Sequence, residues 1–269
     1  MFTAIYLGCY SLSLSQHISS NAGLPFSKLG VRQIHKLYIS KNNNMYQQSI
    51  GQIKNSIFPV FFQSIQGPTT QIGVSGTGFF IDNEGHFITA HHVTTEVPPN
   101  STLLYLGNVP DNVITPVKIM EIFSDPIRDI FLGKVESGGL PPVKLSFDKP
   151  QIGKTVCLCG YPLAQLFQNP DGSINVVNVR QYWQPTFIID GITANNNGRN
   201  YLGFMTQDTS LNGMSGGPVF DTDGTVYGVD VAMLTREIPQ KDKGPIIVNN
   251  GVVIENITIK DIYEKIKVS

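Results

Sequence analysis

The chain has 269 residues, 41% of them hydrophobic, with 26 glycines and 17 prolines. It is long enough for one large or two small domains and too rich in turn formers for a coiled coil or a disordered chain. Nineteen basic residues against twenty acidic ones leave a net charge of −1, which excludes a strongly basic nucleic-acid binder. No apolar run reaches the ~18–20 residues that span a bilayer.

Residues 1–44 read differently from the rest. The first acid of the whole chain is Asp82, while Lys28, Arg32, Lys36 and Lys41 punctuate a Ser- and Asn-rich stretch. Met1-Phe2-Thr3-Ala4 lacks the positive side-chain charge that a secretory signal would want before its apolar core. The segment fits a leader or transit peptide, a disordered tail, or a start placed too early, with Met45 opening the domain proper. The compartment stays open.

From Ile57 onward short strands alternate with turn signals. Phe79–Ile81 and Phe87–Ala90 flank Asp82-Asn83-Glu84-Gly85 and predict a hairpin. Further strands are predicted over 113–122, 130–135, 155–160, 176–182, 187–192, 201–206, 218–220, 226–232 and 246–254, broken by Gly, Pro, Asn and Asp. This many short strands in one domain predicts an all-β fold, two small barrels rather than one sandwich. Only the end looks helical, where Ile259, Ile262, Tyr263 and Ile266 recur at three- and four-residue steps.

Of the three cysteines, Cys157 and Cys159 flank Leu158 in an apolar strand and should share one face as small buried hydrophobes. They make no disulfide framework, and no metal-ligand spacing surrounds them.

Three segments could carry chemistry, in the order His, Asp, Ser. Thr89-Ala90-His91-His92-Val93 ends a predicted strand, and strand alternation would send the two histidines to opposite faces, leaving one as a base. Arg128-Asp129-Ile130-Phe131-Leu132 opens another strand with an acid that can orient an imidazole, Asp125 being the nearby alternative. Asn212-Gly213-Met214-Ser215-Gly216-Gly217-Pro218 sets a serine between glycines, a tight turn that exposes the hydroxyl. There the N–H groups of Gly213 and Ser215 can converge on a developing oxyanion. A zinc reading of His86, His91 and His92 finds no acid at ligand spacing.

In this order, and with these motifs, the sequence resembles the chymotrypsin-like serine proteases, and within them the protease domain of the Deg/HtrA group without its PDZ domain. Gly76–Asp82, Thr89–Val93, Asp129–Leu132, Gly160-Tyr161-Pro162, Gln207–Ser210, Gly213–Pro218 and Val226–Val229 carry the likeness, over roughly residues 57–266. The resemblance implies an all-β fold of two six-stranded antiparallel β-barrels with a C-terminal α-helix. The first barrel would span about 57–145, the second about 146–255 and the helix about 258–267, within a protease domain of residues 45–269.

It implies a serine endopeptidase working through an acyl-enzyme, with His92 as base, Asp129 as its orienting acid and Ser215 as nucleophile. Gly213 and Ser215 would form the oxyanion hole, and protein or peptide substrates would be bound without metal or organic cofactor. Thr209 would lie at the base of the specificity pocket, with Val231, Ala232 and Met233 along its wall. No acid falls among those positions, so a small or medium apolar side chain is expected before the scissile bond.

Two departures stand out. Met214 replaces the Asp or Asn usual before the serine, so an activation switch that pairs this acid with a new amino terminus should be absent. The loop before Ser215 is one residue shorter than the common Deg/HtrA form, which leaves open whether the oxyanion hole is preformed. A protease-fold module that binds peptides without cutting them is the alternative. No room for a PDZ domain follows in this sequence, so the regulated trimer is not implied and the oligomeric state stays open.

Overall fold

The computed structural model describes residues 45–269, apart from 67–68, 107–115, 137–140, 163, 169–173, 197, 242 and 269. The segment 1–44 lies outside the described residues.

The first half opens with helix α1 (Gln47–Ile53) and continues through β1 (Ile57–Gln66), β2 (Thr69–Phe80) and β3 (His86–Ala90). A one-turn helix α2 (His91–Thr95) follows, then β4 (Ser101–Leu106), β5 (Pro116–Lys118), β6 (Met120–Asp125) and β7 (Ile130–Lys134). These strands form one antiparallel sheet in the order β5-β4-β1-β2-β3-β7-β6. Only Ile119 separates β5 from β6, and its N–H donates to the Leu103 carbonyl at 3.2 Å. The two are therefore halves of a single bent strand that pairs with β4 at one end and β7 at the other. Counted this way, the seven segments close into the six-stranded barrel expected.

The second half comprises β8 (Lys144–Leu145), β9 (Thr155–Gly160), β10 (Gln165–Gln168), β11 (Ile174–Asn178), β12 (Tyr182–Asn196), β13 (Arg199–Thr206), β14 (Pro218–Phe220), β15 (Thr225–Gln240) and β16 (Lys243–Glu255). Its main sheet runs β14-β9-β12-β13-β16-β15-β8, and a further β14–β15 pairing, Pro218 opposite Val229, closes six of these strands into the second barrel. The two-residue β8 adds to β15 in parallel, so Lys144 and Leu145 belong to the second sheet rather than the first. β10 and β11 form a separate hairpin. A 3₁₀ turn (Asn256–Ile259) leads into α3 (Lys260–Val268), so the predicted helix begins as a tighter turn. Ile262, Tyr263 and Ile266 pack against the core from α3.

Packing explains why the strands hold. Phe58 sits 4.5 Å from Phe80, 5.1 Å from Phe87 and 4.8 Å from Tyr105, ring centroid to centroid, which builds an aromatic core in the first barrel. Each such ring, fully buried, contributes roughly 1.5–3 kcal/mol. Along β9 both faces are buried. Val156 and Leu158 join a cluster with Ile188, Phe204, Met214, Val219 and Val253, while Cys157 and Cys159 point the other way together. Burial pushes the Cys157 thiol up to about 12 and that of Cys159 well above its ordinary value, so both stay protonated and inert.

Two helices depart from the sequence expectation that only the end is helical. In α1, Ile50 and Ile53 pack on the core, and the preceding Tyr46 sets its ring edge-on to Phe220 at 5.9 Å. Seven residues are too few for periodicity to announce a helix. The second is α2, which begins where the strand carrying the histidines stops.

Candidate active site

β3 is buried along its length and ends at Ala90, after which the chain coils once through His91 and His92. The histidines are thus neighbours on a helical turn, not on opposite faces of a strand. Their rings still part company. His91 Nδ1 meets the Ser124 hydroxyl at 2.7 Å, whereas His92 Nδ1 meets Asp129 Oδ2 at 2.8 Å.

Asp129 holds His92 by more than the ring. Its Oδ1 accepts the His92 N–H at 2.9 Å, and its carbonyl accepts the His91 N–H at 3.1 Å. Asp129 is fully buried and sits at φ 58°, in the left-handed region that a non-glycine residue adopts at a cost. Asp125 prepares that turn. Its Oδ1 accepts the N–H groups of Ile127 and Arg128, both at 3.0 Å, and it pairs with the Arg128 guanidinium. Of the two acids considered from sequence, Asp129 is the partner of His92, and Asp125 shapes the loop.

The serine loop packs onto the same strand ends. The Thr77 N–H donates to the Ser215 carbonyl at 2.8 Å, and the Thr77 hydroxyl donates to the Gly213 carbonyl at 2.7 Å. That hydroxyl also accepts the Tyr161 N–H at 3.2 Å, and the Thr77 carbonyl accepts the Thr89 hydroxyl at 2.6 Å. A Cβ on Gly216 would strike Thr89, Thr77 and the Ala90 nitrogen, one residue before α2. The Ser215 main chain therefore lies against the edge of the first barrel from which His92 projects.

Leu211–Met214 form a turn closed by the Met214 N–H on the Leu211 carbonyl at 2.9 Å, with Gly213 at φ 94°. A positive φ at the third position is the mark of a type II turn, which favours glycine there. Met214 is fully buried in the second barrel's cluster. Its side chain pins the loop by apolar packing where a charge would need a partner.

The other expected site residues lie nearby along the chain. Thr209 is half-buried, its carbonyl accepting the Gln184 side-chain amide at 3.0 Å. Val231 is the extra residue of a bulge in β15, between Asp230 opposite Val253 and Ala232 opposite Val252. Val231 is buried, Ala232 half-buried and Met233 exposed. The residue that sequence reasoning passed over is Asp230, a lone acid inside the apolar run of β15, 1% exposed. Among the described residues no cluster of three or more His, Cys, Asp or Glu side chains could hold a metal. The His86 Nδ1 is engaged by Asp82 at 2.6 Å.

Two closed β-barrels with a buried Asp–His pair and a glycine-flanked serine loop at their junction define the trypsin-like peptidase architecture. The trypsin-like peptidase domain model matches residues 76–229, and the chain belongs to that family. Among curated proteins it is 29% identical over 165 residues to a probable periplasmic serine endoprotease, DegP-like, of Pseudomonas fulva (strain 12-X), covering 60% of this chain and 29% of that protein. A protein of the same description from Chlamydia muridarum (strain MoPn / Nigg) is 29% identical over 176 residues, 62% of this chain and 30% of its own. The chain thus matches under a third of the length of these relatives. Among solved structures the HtrA-type protease AlgW with a decapeptide superposes with a TM-score of 0.60 at 16% identity, over 82% of this chain and 67% of that one. The Rv3671c protease from M. tuberculosis, in its active form, gives 0.53 at 19% identity, over 79% and 81%. These likenesses carry the fold.

Proposed function

We propose that the chain is a serine endopeptidase in which His92, Asp129 and Ser215 act as a triad. The observation that carries the reading is the doubled Asp129–His92 contact. One carboxylate oxygen takes the backbone N–H and the other the ring, at 2.9 and 2.8 Å, so rotation and tautomer are both constrained. With its Nδ1 proton held by Asp129, the imidazole keeps Nε2 as its basic nitrogen. Nε2 takes the Ser215 hydroxyl proton as the oxygen attacks the scissile carbonyl, and the imidazolium formed is stabilised by buried Asp129. Nε2 then returns that proton to the departing amine, which leaves an acyl-enzyme, and water repeats the cycle.

The N–H groups of Gly213 and Ser215 would bind the oxyanion. One such donor contributes on the order of 2.7–4 kcal/mol. Thr209, Val231, Ala232 and Met233 would flank the side chain before the scissile bond. Peptide substrates agree with the decapeptide held by the AlgW neighbour. Among the described residues no helix is long and apolar enough to cross a membrane.

The competing reading is a binding module that keeps the fold without turnover. Burial of Met214 and the closed Leu211–Met214 turn favour an ordered loop and so favour catalysis. A fluorophosphonate probe should label the wild-type protein and not Ser215→Ala. Equal labelling of both would sink Ser215 as nucleophile, and a folded wild type left unlabelled would establish the binding module.

A further inference from the structure

The loop that carries the nucleophile is held at its far end by a residue that the reaction does not use. Residues 207–217 run from the end of β13 to the start of β14 and include Ser215. Thr77 and Met214 hold the serine end. The other end is gripped between β12 and β16. From β12, the Thr186 hydroxyl accepts the Asp208 N–H at 3.1 Å, the Phe187 carbonyl accepts the Gln207 N–H at 2.9 Å, and the Gln184 amide donates to the Thr209 carbonyl at 3.0 Å. From β16, the Asn250 amide nitrogen donates to the Thr206 carbonyl at 3.3 Å and to the Gln207 carbonyl at 3.2 Å. A Cβ on the next residue, Gly251, would strike Thr206 Oγ1 and the Asp208 carbonyl.

Asn250 is 3% exposed in a strand, a setting that disfavours asparagine and makes a buried amide costly unless its polar atoms are met. Its remaining polar atom, Oδ1, accepts an N–H from the Arg236 guanidinium at 2.8 Å. In β15, Leu234 stands opposite Asn250 and Arg236 opposite Val248. Arg236 and Asn250 are therefore diagonal neighbours on one face of the hairpin. On the other face the Thr235 hydroxyl donates to Asn249 Oδ1 at 2.9 Å. Arg236 itself lies in the exposed outer part of the hairpin. A guanidinium can only donate, so it fixes which end of the amide faces it. The nitrogen is left turned to two consecutive carbonyls where the loop begins.

We infer that Asn250, oriented by Arg236, is a positioning residue of this site, fixing residues 206–209 so that Thr209 stands where the substrate side chain before the scissile bond packs. The inference rests on the serine-peptidase reading and on Thr209 as part of its substrate site. An apolar residue at position 250 would suit the strand better, so the sheet alone does not account for the amide. The task is to place the substrate and not to move the proton between Ser215 and His92. Its loss should weaken peptide binding and leave the reactivity of Ser215 in place.

Two measurements separate those effects: turnover of fluorogenic peptides with Ala, Leu, Phe or Arg before the scissile bond, and the rate of fluorophosphonate labelling. Asn250→Asp keeps the shape, removes both donors and sets a carboxylate against two carbonyls. For whichever peptide wild type turns over, it should raise KM about 10- to 100-fold. The kcat and the labelling rate should stay within about threefold of wild type. Arg236→Gln should raise KM by about three- to tenfold, and Arg236→Lys, which keeps a donor, should recover most of that loss. An unchanged KM in folded Asn250→Asp overturns the inference, as does a labelling rate that falls in step with turnover. If circular dichroism shows Asn250→Asp unfolded, the exposed position decides, and an unchanged KM in Arg236→Gln overturns the inference. Each of these results leaves the peptidase reading standing. A folded wild type that takes no label removes that reading, and this inference with it.

Discussion

Asp129 shows how much of the site one side chain can set. Replaced by Asn, it keeps its size, but the amide can present an N–H where the imidazole already donates, and the wrong tautomer follows. Asp129→Asn should leave the circular dichroism spectrum unchanged and lower kcat by about 10⁴. His92→Ala should abolish peptide turnover. His91→Ala should largely spare it, because the His91 ring is turned to Ser124. Steady-state assays on the two variants check the choice. At this scale the motifs named all three triad candidates from sequence alone. The bare residue pattern left Asp125 beside Asp129 and the family motif chose Asp129; only folding shows that its carboxylate is the one that meets the His92 ring. Asp230 escaped for the opposite reason: an acid within an apolar strand belongs to no motif, and its lack of partners appears only after burial.

The elements are joined by a few crowded contacts. Thr77, in β2, serves the serine loop and Tyr161 with one hydroxyl. Thr77→Val keeps the shape and strands a buried N–H and a buried carbonyl, a loss of about 1–3 kcal/mol measurable by urea unfolding. Gly216→Ala should do more harm. Gly216 sits at φ 85°, and an added methyl meets Thr77 and Thr89 main-chain and side-chain atoms that cannot yield. Met214→Ala should cost about 2–5 kcal/mol by the cavity it leaves, whereas Met214→Leu should be tolerated. Most strands were legible as apolar runs between turn residues, but β1, β4 and β10 were not singled out, and the segment predicted over 176–182 falls across the end of β11 and the start of β12. The short helices were not, because α1 is two turns at most and α2 is a single turn whose residues also suit a strand end.

Across the whole molecule the pairing of barrels followed from strand count and motif order. What the sequence could not display was closure, since the bend at Ile119 and the β14–β15 pairing depend on residues brought together from a distance. Stability should also carry a pH signature. Asp230 holds its proton up to about 7 when folded, against about 3.9 in an unfolded chain. The native state binds the extra proton between those values, so stability is highest below the window and falls as pH rises through it, by up to roughly 4 kcal/mol. Asp221 acts in the opposite sense. Burial raises its carboxyl, but Lys154 at 2.9 Å and the N–H groups of Asp223 and Thr225 outweigh that and hold it low. Its contribution is lost only in acid. Urea unfolding at pH 5 and pH 8 should show wild type weaker at pH 8 and Asp230→Asn nearly level.

The four bonds of Thr77 have a last consequence. A force or a denaturant that begins to pry one cylinder from the other tears the threonine from the loop that carries Ser215. A half-opened molecule would then lose the arrangement proposed for catalysis instead of keeping it in a loosened form.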